Sequence, residues 1–448
     1  MTNAGRRAMC RAMSTDRSSF FVAFLLLAAL FACSACTPGS GQPDAGQAAC
    51  PAQVGEGTVH SGVLASSETW TVEQGPHVVT ADVTVEPGAV VTIEPCAAVR
   101  IAKNVSLIAK GQLLANGTAD QPIHIGAIDS AAPWGSLKID PNGFAALAYV
   151  NLTEGGSHVD SDAPHGMIEV DGDETKRVTP VLGVEHVTLT GSASFGLTLR
   201  GGVAFTVDSH DLTVTKSKKA PMRIWPRLVS SIPVGNYKDN TEDAIVVTTD
   251  PGGEINVENV TFHDRGVPYR IGDSALPSSL VVGPEHFTLT IEAGVVMTFQ
   301  DKGALRAVSA ASSTGVISAV GTADRPVVLT SASLEPVAGR WVGVRLGAVA
   351  DPGFQFDFVQ IRFAGGVSME YANHCQPNPT LTGQVSKDDD AALAIFHQPP
   401  KPYLTNSLIE HSAADGVNNA YTGSYVDSKP TNIFKNVVGC QVTYPLPT

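Results

Sequence analysis

From about Val59 onward the chain is a string of short segments in which apolar, mostly β-branched residues nearly alternate with polar ones. Val83-Thr84-Val85, Val90-Val91-Thr92-Ile93, Val99-Arg100-Ile101 and Val105-Ser106-Leu107-Ile108 are examples. A period of two predicts strands whose alternate side chains face a core. Glu86-Pro87-Gly88, Gly111 and Asn116-Gly117 break the pattern at turn-like intervals, since glycine and asparagine accept backbone angles that other residues resist. No apolar period of 3.6 residues lasts three turns beyond the first 35 residues, so an all-β body is expected.

A longer repeat overlies these segments. Val85-Glu86-Pro87-Gly88, Gly117-Thr118-Ala119-Asp120-Gln121-Pro122, Trp134 and Tyr149-Val150-Asn151-Leu152 form one series. Ile291-Glu292-Ala293-Gly294, Gly321-Thr322-Ala323-Asp324-Arg325-Pro326, Trp341 and Phe358-Val359-Gln360-Ile361 form a second. Self-similarity over a long period is the mark of a repeat architecture. The landmarks have structural readings. Gly88 and Gly294 supply unusual turn angles, Asp120 or Asp324 bonds nearby amides, Pro122 or Pro326 opens the next strand, and the two tryptophans cover apolar core.

A further pattern separates a coil of rungs from a sandwich or barrel. An apolar residue, a variable one, a hydrogen-bonding one and another apolar one recur in Tyr149-Val150-Asn151-Leu152, Val184-Glu185-His186-Val187, Val257-Glu258-Asn259-Val260 and Phe358-Val359-Gln360-Ile361. Leu404-Thr405-Asn406-Ser407 and Phe434-Lys435-Asn436-Val437 follow more loosely. Equivalent turns of a parallel coil stack, so amides there can bond along the stack, and asparagine tolerates the left-handed backbone of a corner.

On these residues the chain resembles the right-handed parallel β-helix proteins exported by Gram-negative bacteria, many of them lipoproteins. Leu289-Thr290-Ile291-Glu292-Ala293-Gly294, Gly321 to Leu329 and Trp341-Val342-Gly343-Val344 carry the likeness, with Asn240 to Ile245 and Gly266-Val267-Pro268-Tyr269-Arg270. It covers most of the chain from about residue 75. The resemblance implies a β-solenoid and leaves activity open, because that group holds polysaccharide lyases, hydrolases, adhesins and proteins of unknown role. The expected organisation is a signal peptide over 1–35, an anchor and flexible tether over 36–57, a first repeat unit over 58–220, and a second with the C-terminal rungs over 221–448. Insertions near 157–180, 215–255 and 367–400 are expected to project as outer loops and carry recognition.

Composition adds an address. Arg6, Arg7, Arg11 and Arg17 precede an apolar stretch from Phe20 to Leu30, too short to span a bilayer comfortably. Leu30-Phe31-Ala32-Cys33-Ser34-Ala35-Cys36 resembles a bacterial lipobox, which implies that Cys36, with Ser34 and Ala35 before it, is lipidated; Cys33 is the competitor. Lipidation at Cys36 leaves Cys50, Cys96, Cys375 and Cys440, and four thiols outside the reducing cytosol suggest two disulfides. Of three possible pairings, Cys50–Cys96 with Cys375–Cys440 would clip each end of the solenoid. The membrane is thus an expected partner through a lipid anchor, at the outer membrane or cell surface. The formal net charge of -14 and 16% charged residues argue against nucleic acid. The short basic run Lys216-Ser217-Lys218-Lys219 reads as a solvated loop.

No reaction centre emerges, and no catalytic residue, cofactor or metal is assigned. Enzymes of the resembled group would need carboxylates for calcium with an Arg or Lys base, or an Asp pair. Asp388-Asp389-Asp390 is the densest acidic group, facing Arg362 if it met a groove, but three consecutive carboxylates read as a solvated charge run. His263-Asp264-Arg265 points to alternate faces if it lies in a strand, so a surface salt bridge is the expectation. His158, Asp160, Asp162 and His165 match no zinc spacing. Arg223-Ile224-Trp225 is a partial echo of a polygalacturonase signature whose other parts are missing. The expectation is therefore a surface binding or structural module for polysaccharide or another surface protein. A polysaccharide lyase or glycoside hydrolase is the alternative.

Overall fold

The computed structural model describes residues 50–157, 165–175, 177–248, 254–272, 278–368 and 390–445. Its strands pair in parallel from one rung to the next. Val90–Ile93 lies against Gln112–Asn116, which lies against Phe144–Ala148, which lies against Thr179–Thr190. The inward residues of these strands stack Val91 on Leu113, Ala145 and Leu182, all nearly solvent-free. The chain is a right-handed parallel β-helix, and alternation of inward and outward residues is what its rungs require.

The two copies of the repeat build one coil. A file of inward residues runs from Val83 through Leu107, Leu137, Ile168, Leu197, Met222, Ile245, Tyr269, Met297, Leu329 and Ile361 to Ile409, each 2% exposed or less. Burial of a full aliphatic side chain is worth roughly 1.5–3 kcal/mol, so stacked files of this kind dominate the stability. Two smaller parallel sheets, of six and five strands, share the later rungs with the large one.

Consecutive parallel strands cannot be joined by hairpins, so every rung must bend, and the repeated landmarks are bends. Gly88 and Gly294 both have φ of 90°. Tyr149 and Phe358 have φ of 50° and 51°, and Glu154 and Phe363 have 59° and 57°. Thr118 and Thr322 close identical turns, their hydroxyls accepting the amides of Gln121 and Arg325 at 3.1 and 3.0 Å. Threonine, not the expected Asp120 or Asp324, therefore caps these turns. The preceding glycines are needed because a Cβ on Gly117 or Gly321 would lie 2.7 or 2.6 Å from the carbonyl oxygen of Tyr149 or Phe358.

The recurring four-residue pattern is a corner, but the left-handed residue is not always the amide. It is Asn406 and Asn436 in two instances and His186 in a third. In the Tyr149 and Phe358 instances it is the aromatic residue, and Asn151 and Gln360 lie in the strands Val150–Thr153 and Val359–Arg362. Amides do bond between rungs: Asn259 Oδ1 accepts Thr288 N–H at 2.9 Å, and Asn240 and Asn432 donate to Val214 and Leu404 carbonyls at 2.9 and 2.8 Å.

Three expectations need correction. The described residues of 215–255 are coil rather than an outer loop, because Met222–Ile224, Gly235–Asn236, Ile245–Val247 and Glu254–Ile255 are in register with neighbouring rungs. Within 157–180, Gly166–Asp171 pairs on both sides. Of the tether expected over 36–57, the part from Cys50 is bound to the coil. Cys50 and Cys96 form a disulfide, and Gln53 accepts the Ala98 amide at 3.1 Å while its carbonyl accepts from Arg100 at 3.0 Å. Cys440 is also disulfide-bonded. Cys375 and Cys36 lie outside the described residues.

Candidate functional site

A groove of about 490 Å³ runs along the flank of the coil where the 3-10 segment Pro226–Ser231 crosses between rungs. Pro226 opens that segment with its fixed backbone angle, and Leu228 and Val229 turn inward to the core, which leaves Arg227 beside the groove. The walls are apolar where Pro180, Phe205, Val207 and Val234 line them. Val207 and Val234 are 94% and 66% exposed, so these walls are open to solvent.

Three charged side chains enter the groove. Arg227 is 7% exposed, donates from Nε to Gly201 O at 3.2 Å and from Nη2 to Glu174 O at 3.0 Å, and lies over the Trp225 ring. Burial lowers its affinity for the proton, against the attraction of Glu258 and Glu174. Arg265 donates from Nε to Ile232 O at 2.9 Å. Glu258 is the only carboxyl among the described lining residues, and its Oε1 is shielded from solvent with no hydrogen-bond partner. Burial raises the Glu258 pKa, and Arg227 and Arg177 oppose the rise. The result is a cleft with apolar walls, two guanidinium groups held by main-chain carbonyls, and one carboxyl able to take up a hydrogen-bond donor.

The candidates taken from the sequence scatter elsewhere. His263, Asp264 and Arg265 part company: His263 Nδ1 meets Glu292 at 3.0 Å, Asp264 meets Arg325 at 2.8 Å, and Arg265 turns to Ile232. A surface contact with Glu292 and a salt bridge with Arg325 are thus the roles of the first two, and the third belongs to the groove. Asp388 and Asp389 lie outside the described residues. Asp390 is not part of a solvated run: it is 6% exposed, accepts the Ser368 amide at 2.8 Å, and lies 3.7 Å from Arg345, itself 3% exposed. Arg362 pairs with Glu410 at 2.9 Å instead. His158, Asp160 and Asp162 are outside the described residues. His165 Nδ1 faces Glu169 at 3.2 Å, and Glu169 also accepts from Ser136 at 2.7 Å.

Trp134 and Trp341 are fully buried and donate their indole N–H groups to Thr153 O and Arg362 O, both at 2.8 Å. Core packing is their role, in the same geometry in both copies. Arg223 donates to Thr248 Oγ1 at 3.2 Å, which makes it part of the strand surface. The exposed lysines at 216, 218 and 219 sit at a corner, with Lys219 over the Phe195 ring.

The groove residues escaped sequence reasoning. Glu258 sits inside the turn pattern Val257-Glu258-Asn259-Val260, where Asn259 drew notice, and Arg227 has no neighbours in sequence that mark it. A lone arginine after a proline carries no signal until the rungs stack.

A family model described as a pectate-lyase-like β-helix domain matches residues 234–351. That stretch contributes Val234, Glu258, Asn259 and Arg265 to the groove. No curated protein and no solved structure matches the chain.

Proposed function

We propose that this protein is an exported lipoprotein whose coil is displayed at the outer membrane or cell surface and binds a polysaccharide along the Arg227–Arg265 groove. The groove itself carries the reading. Apolar walls suit the faces of sugar rings, while fixed guanidinium edges and the Glu258 carboxyl suit hydroxyl or carboxylate substituents. The likeness of residues 234–351 to a pectate-lyase-like domain supports a carbohydrate ligand. Lipidation at Cys36 and the tether behind it would place the groove clear of the bilayer.

Binding is favoured over cleavage because a second groove carboxyl is lacking among the described residues. One observation favours the enzyme: burial raises the Glu258 pKa beside two guanidinium groups, as a general acid or base in an elimination would require. A glycan array probed with the full chain tests the binding reading. A saturable hit that Val207→Glu weakens at least about tenfold, or 1.4 kcal/mol, supports it. A panel with no hit, or a hit indifferent to Val207→Glu and Val234→Arg, would remove the groove from the account. Radiolabelled palmitate incorporation lost in Cys36→Ala and kept in Cys33→Ala tests the anchor.

A further inference from the structure

On another part of the coil, two successive rungs bring together three metal-ligating side chains that the proposed function does not use. His186 and Asp211 occupy equivalent corners: Val187 pairs with Leu212 and Glu185 with His210, so His186 lies directly over Asp211. Both have left-handed backbones, with φ of 50° and 53°, and each is followed by a fully buried residue, Val187 or Leu212. The corner is therefore anchored from inside. His186 is also braced from the rung before, its ring stacked on Tyr149 at 4.6 Å. His210 precedes Asp211 in the chain, and its ring stands edge-on to that of His186, at 84°.

The three ligand atoms converge. His186 Nδ1 lies 3.3 Å and His210 Nδ1 lies 3.0 Å from the same atom, Asp211 Oδ2. Among the described residues this is the one group of three such side chains whose ligand atoms all fall within 4.8 Å of one another. In tetrahedral coordination the edge between two ligands is about 1.6 times the metal–ligand distance. For bonds of roughly 2.0–2.1 Å that edge is about 3.3 Å. The two distances to Oδ2, 3.3 and 3.0 Å, lie close to that edge.

We propose that His186, His210 and Asp211 bind one transition-metal ion of the zinc type through two imidazole nitrogens and one carboxylate oxygen, with the fourth position open to solvent. Two imidazoles with a single carboxylate favour zinc, cobalt or copper and disfavour calcium or magnesium, which take oxygen sets. The ion would compete with protons for the imidazole nitrogens, so uptake weakens at acid pH. It would clip one rung to the next at the surface, and the open position would let it accept a further ligand. The sequence hid this set because its members are 24 and 25 positions apart, a distance that gains meaning only from the period of the coil.

The test is calorimetric titration of the chelator-stripped full chain with zinc, paired with the visible absorption of the cobalt-loaded protein. The expected result is one ion per chain and a tetrahedral cobalt spectrum. His186→Ala and His210→Gln should each weaken zinc by at least about tenfold, since losing even an outer-shell partner costs that much. His263→Ala, a histidine paired to Glu292 elsewhere, should leave binding unchanged. All three substituted side chains are exposed or half-buried, and far-UV circular dichroism checks that each variant keeps its coil. Absence of stoichiometric zinc uptake, or uptake that survives in the His186→Ala/His210→Gln double variant, would overturn the proposal.

Discussion

Replacing Trp341 separates the two uses to which a β-helix puts tryptophan, core packing and sugar stacking. Its side chain is fully buried, lies flat on Phe299 with 4.4 Å between centroids and 5° between planes, and donates to Arg362 O at 2.8 Å. Truncation to alanine removes the largest side chain of that rung, which costs about 3–5 kcal/mol in a core. The stacked pair adds about 0.5–1.5 kcal/mol beyond area, and the lost indole bond about 1. These overlap, so Trp341→Ala is expected to cost about 4–6 kcal/mol. Trp341→Phe keeps a ring against Phe299 and deprives only the Arg362 carbonyl, at about 1–3 kcal/mol. Guanidinium denaturation followed by far-UV circular dichroism reads both. Because solenoid rungs are stabilised by their neighbours, exchange of the amides in Val327–Ser331 should rise in parallel. If Trp341→Ala instead lost under about 1 kcal/mol while abolishing glycan binding, the assignment of this residue to the core would be refuted.

Further outcomes follow from the same structure. Gly321→Ala, with its Cβ 2.6 Å from a backbone oxygen, should lower the melting temperature more than Gly88→Ala, which meets nothing within 4 Å and carries only the strain of φ 90°. Asp390→Ala should cost about 1–3 kcal/mol in denaturation experiments, because it removes a buried carboxylate that accepts the Ser368 amide and lies 3.7 Å from Arg345. Burial lowers the pKa of His77 and of His397 from the ordinary 6.5. The unfolded chain then takes up protons first as pH falls, so stability is full above about 6.5 and declines from there toward the depressed folded values. Melting temperatures measured from pH 8 to pH 5 should fall, and less steeply in His397→Gln.

Architecture was legible because it depends on local periodicity and on turn residues that the chain states twice. Gly88 and Gly294, Trp134 and Trp341, Gly117 and Gly321 occupy matching places because the same corner geometry imposes the same demands. Chemistry was not legible, because sites on a coil are assembled across rungs. Glu258 faces Arg227 from 31 positions away, and Asp390 finds Arg345 rather than Arg362. Asp120 and Asp324 misled for a related reason: the hydroxyl of the threonine two positions earlier accepts the turn amide. The stretch 215–255 looked like an insertion because its strands are only two or three residues long and alternate too briefly to register.

The central claim is that the groove binds glycan without cutting it, and chain-length analysis tests it most directly. A polysaccharide retained by the full chain on the array would be incubated with it, with and without chelator, and its length distribution followed over time. The account predicts an unchanged distribution alongside saturable binding that Val207→Glu weakens. Shortening of the polymer that disappears in Glu258→Gln would contradict it and make the groove an active site.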